Sequence, residues 1–239
     1  MATTRSGTTA GGAGNGSRSQ LSVVVPAYNE TDNIQPLCER LFKATKEAGI
    51  EAELLIMDDE SPGSEATKVV VEKLRADYPI RVHCRRRSEG RGLSSAVLLG
   101  FDMAKYENIL CMDADLQHEP EAVPAVADPV MSGAAEFSVG SRHVGGGGLV
   151  LARGRQRCNP IGFKIGLEIM ARCRCASVQD VGITFRERVA GESKLTMKQN
   201  VQYLEQLAML YWDRYAPILV LLLVAILVVL YLLANALFF

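Results

Sequence analysis

Short apolar runs that stop at polar residues alternate with stretches of helical spacing along most of this chain. Leu21 to Val25 is a β-branched run closed by Pro26, the pattern of a buried strand. Thr31 and Asp32 are cap-type residues, and Ile34, Leu37, Leu41 and Phe42 follow at helical spacing. A second apolar run, Glu53 to Met57, ends in Asp58-Asp59. The period is helical over Ala66 to Tyr78, and a third strand run lies at Ile80 to Cys84. Gly90 and Gly92 precede a helical stretch from Ser94 to Lys105. Asn108 to Met112 predicts a fourth strand, again closed by acidic residues, and Glu136 to Gly140 a fifth. This alternation predicts an α/β fold, a mostly parallel sheet covered by helices on both faces. Ligands bind such sheets outside the carboxyl ends of the strands. Those ends carry Pro26-Ala27-Tyr28-Asn29-Glu30, Asp58-Asp59, Asp113-Ala114-Asp115 and Gly140-Ser141-Arg142.

The two ends of the chain break the pattern. Residues 1–20 are Gly, Ser, Thr and Ala with few hydrophobics, a composition that cannot offset its ordering entropy and predicts a disordered tail. From Ile218 to Phe239 only Tyr231 and Asn235 are polar, and about 22 residues at 1.5 Å rise cross a ~30 Å hydrocarbon core. Trp212, Arg214 and Tyr215 stand just before that run, where interface anchors belong. The expected organisation is a soluble domain over residues 21–212 and a C-terminal transmembrane helix over 216–239, a single-pass tail anchor.

Composition narrows the partners. A chain of 239 residues with formal net charge -1 has no global field to recruit nucleic acid, so any anion must be bound locally. Local basic clusters exist at Arg85-Arg86-Arg87, at Arg142-His143 and at Arg153, Arg155 and Arg157, and each reads equally well as a solvated face. The six cysteines are scattered, and Cys173-Arg174-Cys175 has no second ligand pair that would make a zinc site. Residues 1–20 lack the apolar run of a signal peptide, so reduced thiols and a domain facing the cytosol are expected.

The chemistry concentrates at the strand ends. Asp113 and Asp115, two residues apart where an apolar strand turns outward, let both carboxylates converge, and Gln117 adds a neutral oxygen. Hard oxygen donors with open positions suit Mg²⁺ or Mn²⁺ bridging phosphates. A carboxylate at Asp58-Asp59 either takes hydrogen bonds from a base edge or ribose, or simply forms the turn. Pro26, Tyr28 and Glu30 would frame the base beside it, and Arg142 sits where a fixed fork grips phosphate. Arg186, Arg188 and Lys194 place more cations ahead of the apolar segment, where anionic lipid head groups are an alternative partner. No catalytic triad or Walker loop can be assembled; His83, His118 and His143 are isolated, and Gly145 to Gly148 predicts a mobile loop.

These residues resemble family 2 glycosyltransferases of the GT-A fold and, within them, the dolichyl-phosphate mannosyltransferases of the single-chain, yeast-like type. The resemblance is carried by V-V-V-P-A-Y-N-E (Val23–Glu30), I-M-D-D-E-S-P-G (Ile56–Gly63), G-R-G-L-S-S-A (Gly90–Ala96), M-D-A-D-L-Q-H-E-P (Met112–Pro120), V-G-S-R (Val139–Arg142) and I-T-F-R-E-R-V-A-G-E-S-K-L (Ile183–Leu195). It implies that Pro26, Tyr28, Glu30, Met57 and Asp59 contact the nucleotide. It implies too that Asp113, Ala114, Asp115 and Gln117 surround metal and diphosphate, and that Arg142, Arg188 and Lys194 bind phosphates. The implied partners are GDP-mannose and dolichyl phosphate, with Mg²⁺ or Mn²⁺, at the endoplasmic reticulum membrane and with no obligatory protein subunit. Glucosyltransferases using UDP-glucose share most of these motifs but carry their membrane segment at the other end. The sequence departs from the family after Gly148, where several tens of residues on the acceptor side are missing. A catalytically impaired, nucleotide-binding membrane subunit is the alternative that this departure implies.

Overall fold

Seven strands hydrogen-bond into one sheet in the order β3-β2-β1-β4-β6-β5-β7. The computed structural model describes residues 19–141, 149–152, 165–173, 175–184 and 197–238. Along the chain, β1 (Gln20–Ala27) leads to α1 (Thr31–Glu47), β2 (Glu51–Asp58) to α2 (Ser64–Leu74), and β3 (Ile80–Cys84) to α3 (Leu93–Met103). Then come β4 (Asn108–Cys111), α4 (Val123–Met131), β5 (Phe137–Ser141), β6 (Leu149–Ala152), α5 (Ile165–Cys173), β7 (Val178–Gly182) and α6 (Met197–Phe238). β1 pairs in parallel with β2 and β4, β2 with β3, and β5 with β7; β6 runs antiparallel to both β4 and β5. Six strands therefore point one way, and the mostly parallel sheet is as the alternation predicts.

The apolar runs are continuous because both faces of the central strands are covered. Leu21, Val23 and Val25 of β1, with Leu54 and Ile56 of β2, join a cluster under α1, α2 and α4. Val24, Leu55 and Met57 point to the opposite cluster under α3 and α5. Each of these side chains is fully buried, a burial of about 1.5–3 kcal/mol apiece. α3 lies so close on the sheet that a Cβ at Gly100 would sit 2.4 Å from Val24 Cγ1.

Several elements differ from expectation. β1 begins at Gln20, inside the stretch read as tail, because its first residue pairs with Glu51. The strand also continues through Pro26, opposite Met57, to Ala27. β6 and β7 escape the periodicity: β6 has only four residues, and β7 is an edge strand whose residues are mostly exposed. α6 starts at Met197, well before the apolar segment, and is one continuous helix of 42 residues. Its most apolar stretch has mean hydropathy 3.2 and no buried residues, long and apolar enough to cross a membrane. The expected glycine loop at Gly145–Gly148 and the basic residues Arg153, Arg155 and Arg157 lie outside the described residues, as do residues 1–18.

Candidate active site at the carboxyl ends of the strands

The direction of chain progression reverses between β1 and β4, which are neighbours in the sheet with β2 and β3 beyond β1. A crevice opens where the connections leave in opposite directions, outside the carboxyl ends of those two strands. Tyr28, Asn29 and Glu30 follow β1 there, Asp59 and Glu60 follow β2, Arg85 follows β3, and Asp113 to Gln117 follow β4. Among the described residues, three that are not glycine hold left-handed backbone angles, each in the segment after a different strand: Asn29 (φ 60°), Glu60 (φ 55°) and Leu116 (φ 60°). Such angles cost of order 1 kcal/mol each and concentrate where a chain must turn side chains toward a ligand.

The two neighbouring aspartates at the end of β2 have separate tasks. Asp58 is buried; it accepts from the Ser61 backbone N–H (3.0 Å), from Ser61 Oγ (2.6 Å) and from the Ser64 hydroxyl. That pattern closes the turn into α2, so Asp58 is structural. Asp59 points the other way. Its Oδ1 accepts from Arg85 Nη1 at 2.6 Å and its Oδ2 from the Gly92 N–H at 2.9 Å, with its side chain one-fifth exposed.

Across the crevice, Asp115 is nearly buried and accepts from the Gln117 N–H through Oδ1 at 3.1 Å, while Asp113 is half exposed. His118 Nδ1 lies 3.8 Å from Asp113 Oδ2, so a histidine read as isolated in sequence stands beside the acidic pair. Tyr28 is exposed at the rim, Pro26 and Glu30 are half-buried, and Asn33 Nδ2 donates to Glu30 Oε2 at 2.8 Å. Met57 and Ala114 are buried; the Met57 side chain belongs to the core under α3. Arg142, Arg188 and Lys194 lie outside the described residues.

The donor set suits a hard divalent cation. Two carboxylates and the Gln117 amide are all oxygen ligands, and among the described residues no group of three or more His, Cys, Asp or Glu would cage a metal without help. A cation there needs oxygens from a second molecule, as one bridging a diphosphate does.

Sequence reasoning missed Arg85. In the run Arg85-Arg86-Arg87 it reads equally well as a local anion site or a solvated face, yet its side chain is wholly buried while its two neighbours are exposed. The available signal was position: Arg85 follows a strand on the same edge as the acidic residues. Beside it the turn Arg87–Glu89 closes on itself, the Arg86 N–H donating to Glu89 Oε2 at 2.7 Å and His83 pairing with Glu89 Oε1 at 2.9 Å. The backbone bond first, and the histidine second, hold the Glu89 carboxyl below its usual range.

Residues 22–190 match the model of the family described as glycosyl transferase family 2. The chain belongs to that family. Dolichol-phosphate mannosyltransferase of Saccharomyces cerevisiae is 36% identical over 237 residues, covering 80% of this chain and 87% of that protein. The Pyrococcus furiosus protein of the same name is 31% identical over 234 residues; the match takes in 81% of this chain but spans only 64% of that relative. The yeast alignment runs over 237 positions yet draws on about 190 of this chain's 239 residues, so roughly 45 positions face a gap in this chain. Among solved structures, a mannosyltransferase from Pyrobaculum calidifontis in complex with GDP-Man and Mn²⁺ superposes with a TM-score of 0.55 at 15% identity, over 82% of this chain and 69% of that one. That likeness bears out the GT-A fold.

Proposed function

We propose that this chain transfers mannose from GDP-mannose to a polyprenyl phosphate, dolichyl phosphate in particular, with inversion at the sugar carbon. One observation carries the reading. In a member of family 2, Tyr28 and Glu30, Asp59, and Asp113 to Gln117 follow the carboxyl ends of β1, β2 and β4, around the crevice between β1 and β4. The names of the yeast and archaeal relatives support mannose as the sugar and a lipid phosphate as the acceptor.

Pro26, Tyr28, Glu30 and Asp59 frame the nucleoside in this reading, Met57 adding only main chain. Asp113, Asp115 and Gln117 would hold Mg²⁺ or Mn²⁺ beside the diphosphate, over the Ala114 turn, where the cation serves as a Lewis acid for the leaving group. Arg142, Arg188 and Lys194 would bind phosphates of donor and acceptor. The lipid phosphate oxygen attacks the anomeric carbon, the sugar–oxygen bond to GDP breaks, and its electron pair leaves on the β-phosphate. A phosphate is already ionised at neutral pH, so the site needs no histidine base. α6 would anchor the enzyme in the endoplasmic reticulum membrane with the crevice on the cytosolic side.

The test is transfer of labelled mannose from GDP-mannose to dolichyl phosphate in membranes that contain the chain. Mannolipid formed by the wild type and lost in Asp115→Ala supports the reading; label arriving only from UDP-glucose would replace the donor. The roughly 45 unmatched positions favour a second reading, a nucleotide-binding subunit, and GDP binding without transfer from either donor selects it. Cutting the chain after Tyr215 should release it from membranes while GDP still binds in Mn²⁺, and retention would rule out α6 as the anchor.

A further inference from the structure

We propose that Arg85 is a positioning residue for the nucleotide, its buried guanidinium fixing the Asp59 carboxylate and the Gly90–Gly92 turn as one rigid wall of the crevice. This rests on the donor-site reading above.

Arg85 is among the largest fully buried side chains of the protein. A guanidinium in that position is costly unless its donors are matched; both Nη groups are, while Nε is buried with no hydrogen-bond partner among the described residues. Nη1 donates to Asp59 Oδ1 (2.6 Å) and to the Gly92 carbonyl (3.3 Å), and Nη2 to the Glu89 carbonyl (3.1 Å) and Ser95 Oγ (2.7 Å). Asp59 Oδ2 then takes the Gly92 N–H, so arginine, aspartate and turn close a ring. Gly90 and Gly92 have φ of 91° and 93°, angles that side-chain-bearing residues rarely adopt, and a Cβ at Gly90 would lie 3.4 Å from Arg85 Nη2. The turn is thus wrapped around the guanidinium.

The consequence falls on Asp59. A carboxylate has about four lone-pair sites, and each Asp59 oxygen gives one to this ring. The others stay available on the part of the side chain that remains one-fifth exposed, where N–H groups of a base edge or ribose hydroxyls are the matching donors. An acceptor ordered before the ligand arrives spares the ligand that ordering cost. Lysine cannot substitute, because a single ammonium cannot hold four acceptors in a planar fork.

The experiment measures GDP affinity, donor KM and kcat for the full chain in detergent, comparing wild type, Arg85→Gln, Arg85→Lys, Asp59→Asn and the double variant Asp59→Asn/Arg85→Gln. Arg85→Gln should weaken GDP binding and raise KM by about 10- to 100-fold with kcat within about threefold, and Arg85→Lys should recover little. In the Asp59→Asn background the same change should alter affinity less than about twofold, because its action runs through Asp59. Should Arg85→Gln not fold, Ser95→Ala removes one bond of the fork; it should cost about threefold in affinity with Asp59 present and nothing without it. Equal losses in both backgrounds, or a kcat loss at unchanged affinity, overturn the proposal while leaving the donor reading intact. A wild-type chain that binds no GDP overturns both.

Discussion

The two ends of the same sheet handle polar groups in opposite ways. At the amino end, Glu53 is buried, yet it accepts from Ser22 Oγ (2.6 Å), the Lys105 N–H (2.5 Å) and Arg81 Nε (3.2 Å). Ser22 Oγ in turn takes the Tyr106 N–H at 2.9 Å, and the Tyr106 hydroxyl donates to Glu51 at 2.7 Å. That network is closed on itself. At the carboxyl end, left-handed residues follow three strands, and Asp59 and Asp113 keep exposed carboxylate surface. One end spends its polar groups on holding the strands together; the other directs them outward at the expense of backbone strain.

Mutations at the two ends should therefore separate activity from stability. The largest effect is expected from Asp115→Ala, which should lower mannosyl transfer a hundredfold or more with a melting temperature within about 2 °C of wild type. Loss of folding instead of activity would erase the distinction. Next, Glu53→Ala should lower the unfolding free energy by about 3 kcal/mol in denaturant titration, since it strands buried Ser22 and the Lys105 N–H, with GDP affinity of the folded chain unchanged. Glu60→Gly should raise stability by about 0.5–1 kcal/mol by relieving its left-handed angle, because the exposed pair with Arg87 contributes little. The smallest effect concerns pH. Hydrogen bonds from Gln20 and then Tyr106 hold the Glu51 carboxyl below its ordinary value of 4.5, so their contribution is present above that value and lost as pH falls through the lowered one. Melting curves of wild type and Glu51→Gln should converge slightly between about pH 5 and pH 3.

The residues explain which parts of this arrangement were legible in sequence. β1, β2 and β4 are runs with both faces buried, and their ends are marked by a switch to acidic or turn residues; β3, at the sheet edge, is mostly half-buried and ends in arginines. Asp113 and Asp115 are therefore legible as a pair from the sequence alone. The residues by themselves do not sort Asp58 from Asp59, which only the family resemblance separates, because one step along the chain sends the first into the α2 turn and the second to the crevice. Arg85 was hidden by its two exposed neighbours; a buried arginine looks the same in sequence as a solvated one. β6 inserts between β4, distant in the chain, and β5, and its four residues are too few to show a period of their own. The left-handed angles at Glu60 and Leu116 have no compositional mark, whereas Asn29 is of a residue type that adopts them readily.

The unbroken run of α6 has a mechanical meaning. A helix of 42 residues is about 63 Å long, and roughly half of it exceeds what a bilayer core takes up. Height and azimuth of the catalytic head are then geared together: each residue inserted near Trp212 lifts the head about 1.5 Å and swings it about 100°. Two added residues would turn the crevice away from the lipid surface with almost no change of height, whereas seven would nearly restore its bearing about 10 Å higher. As the proposed anchor, the helix would work as a threaded post, its length in residues setting where along a lipid's reach the phosphate meets the sugar.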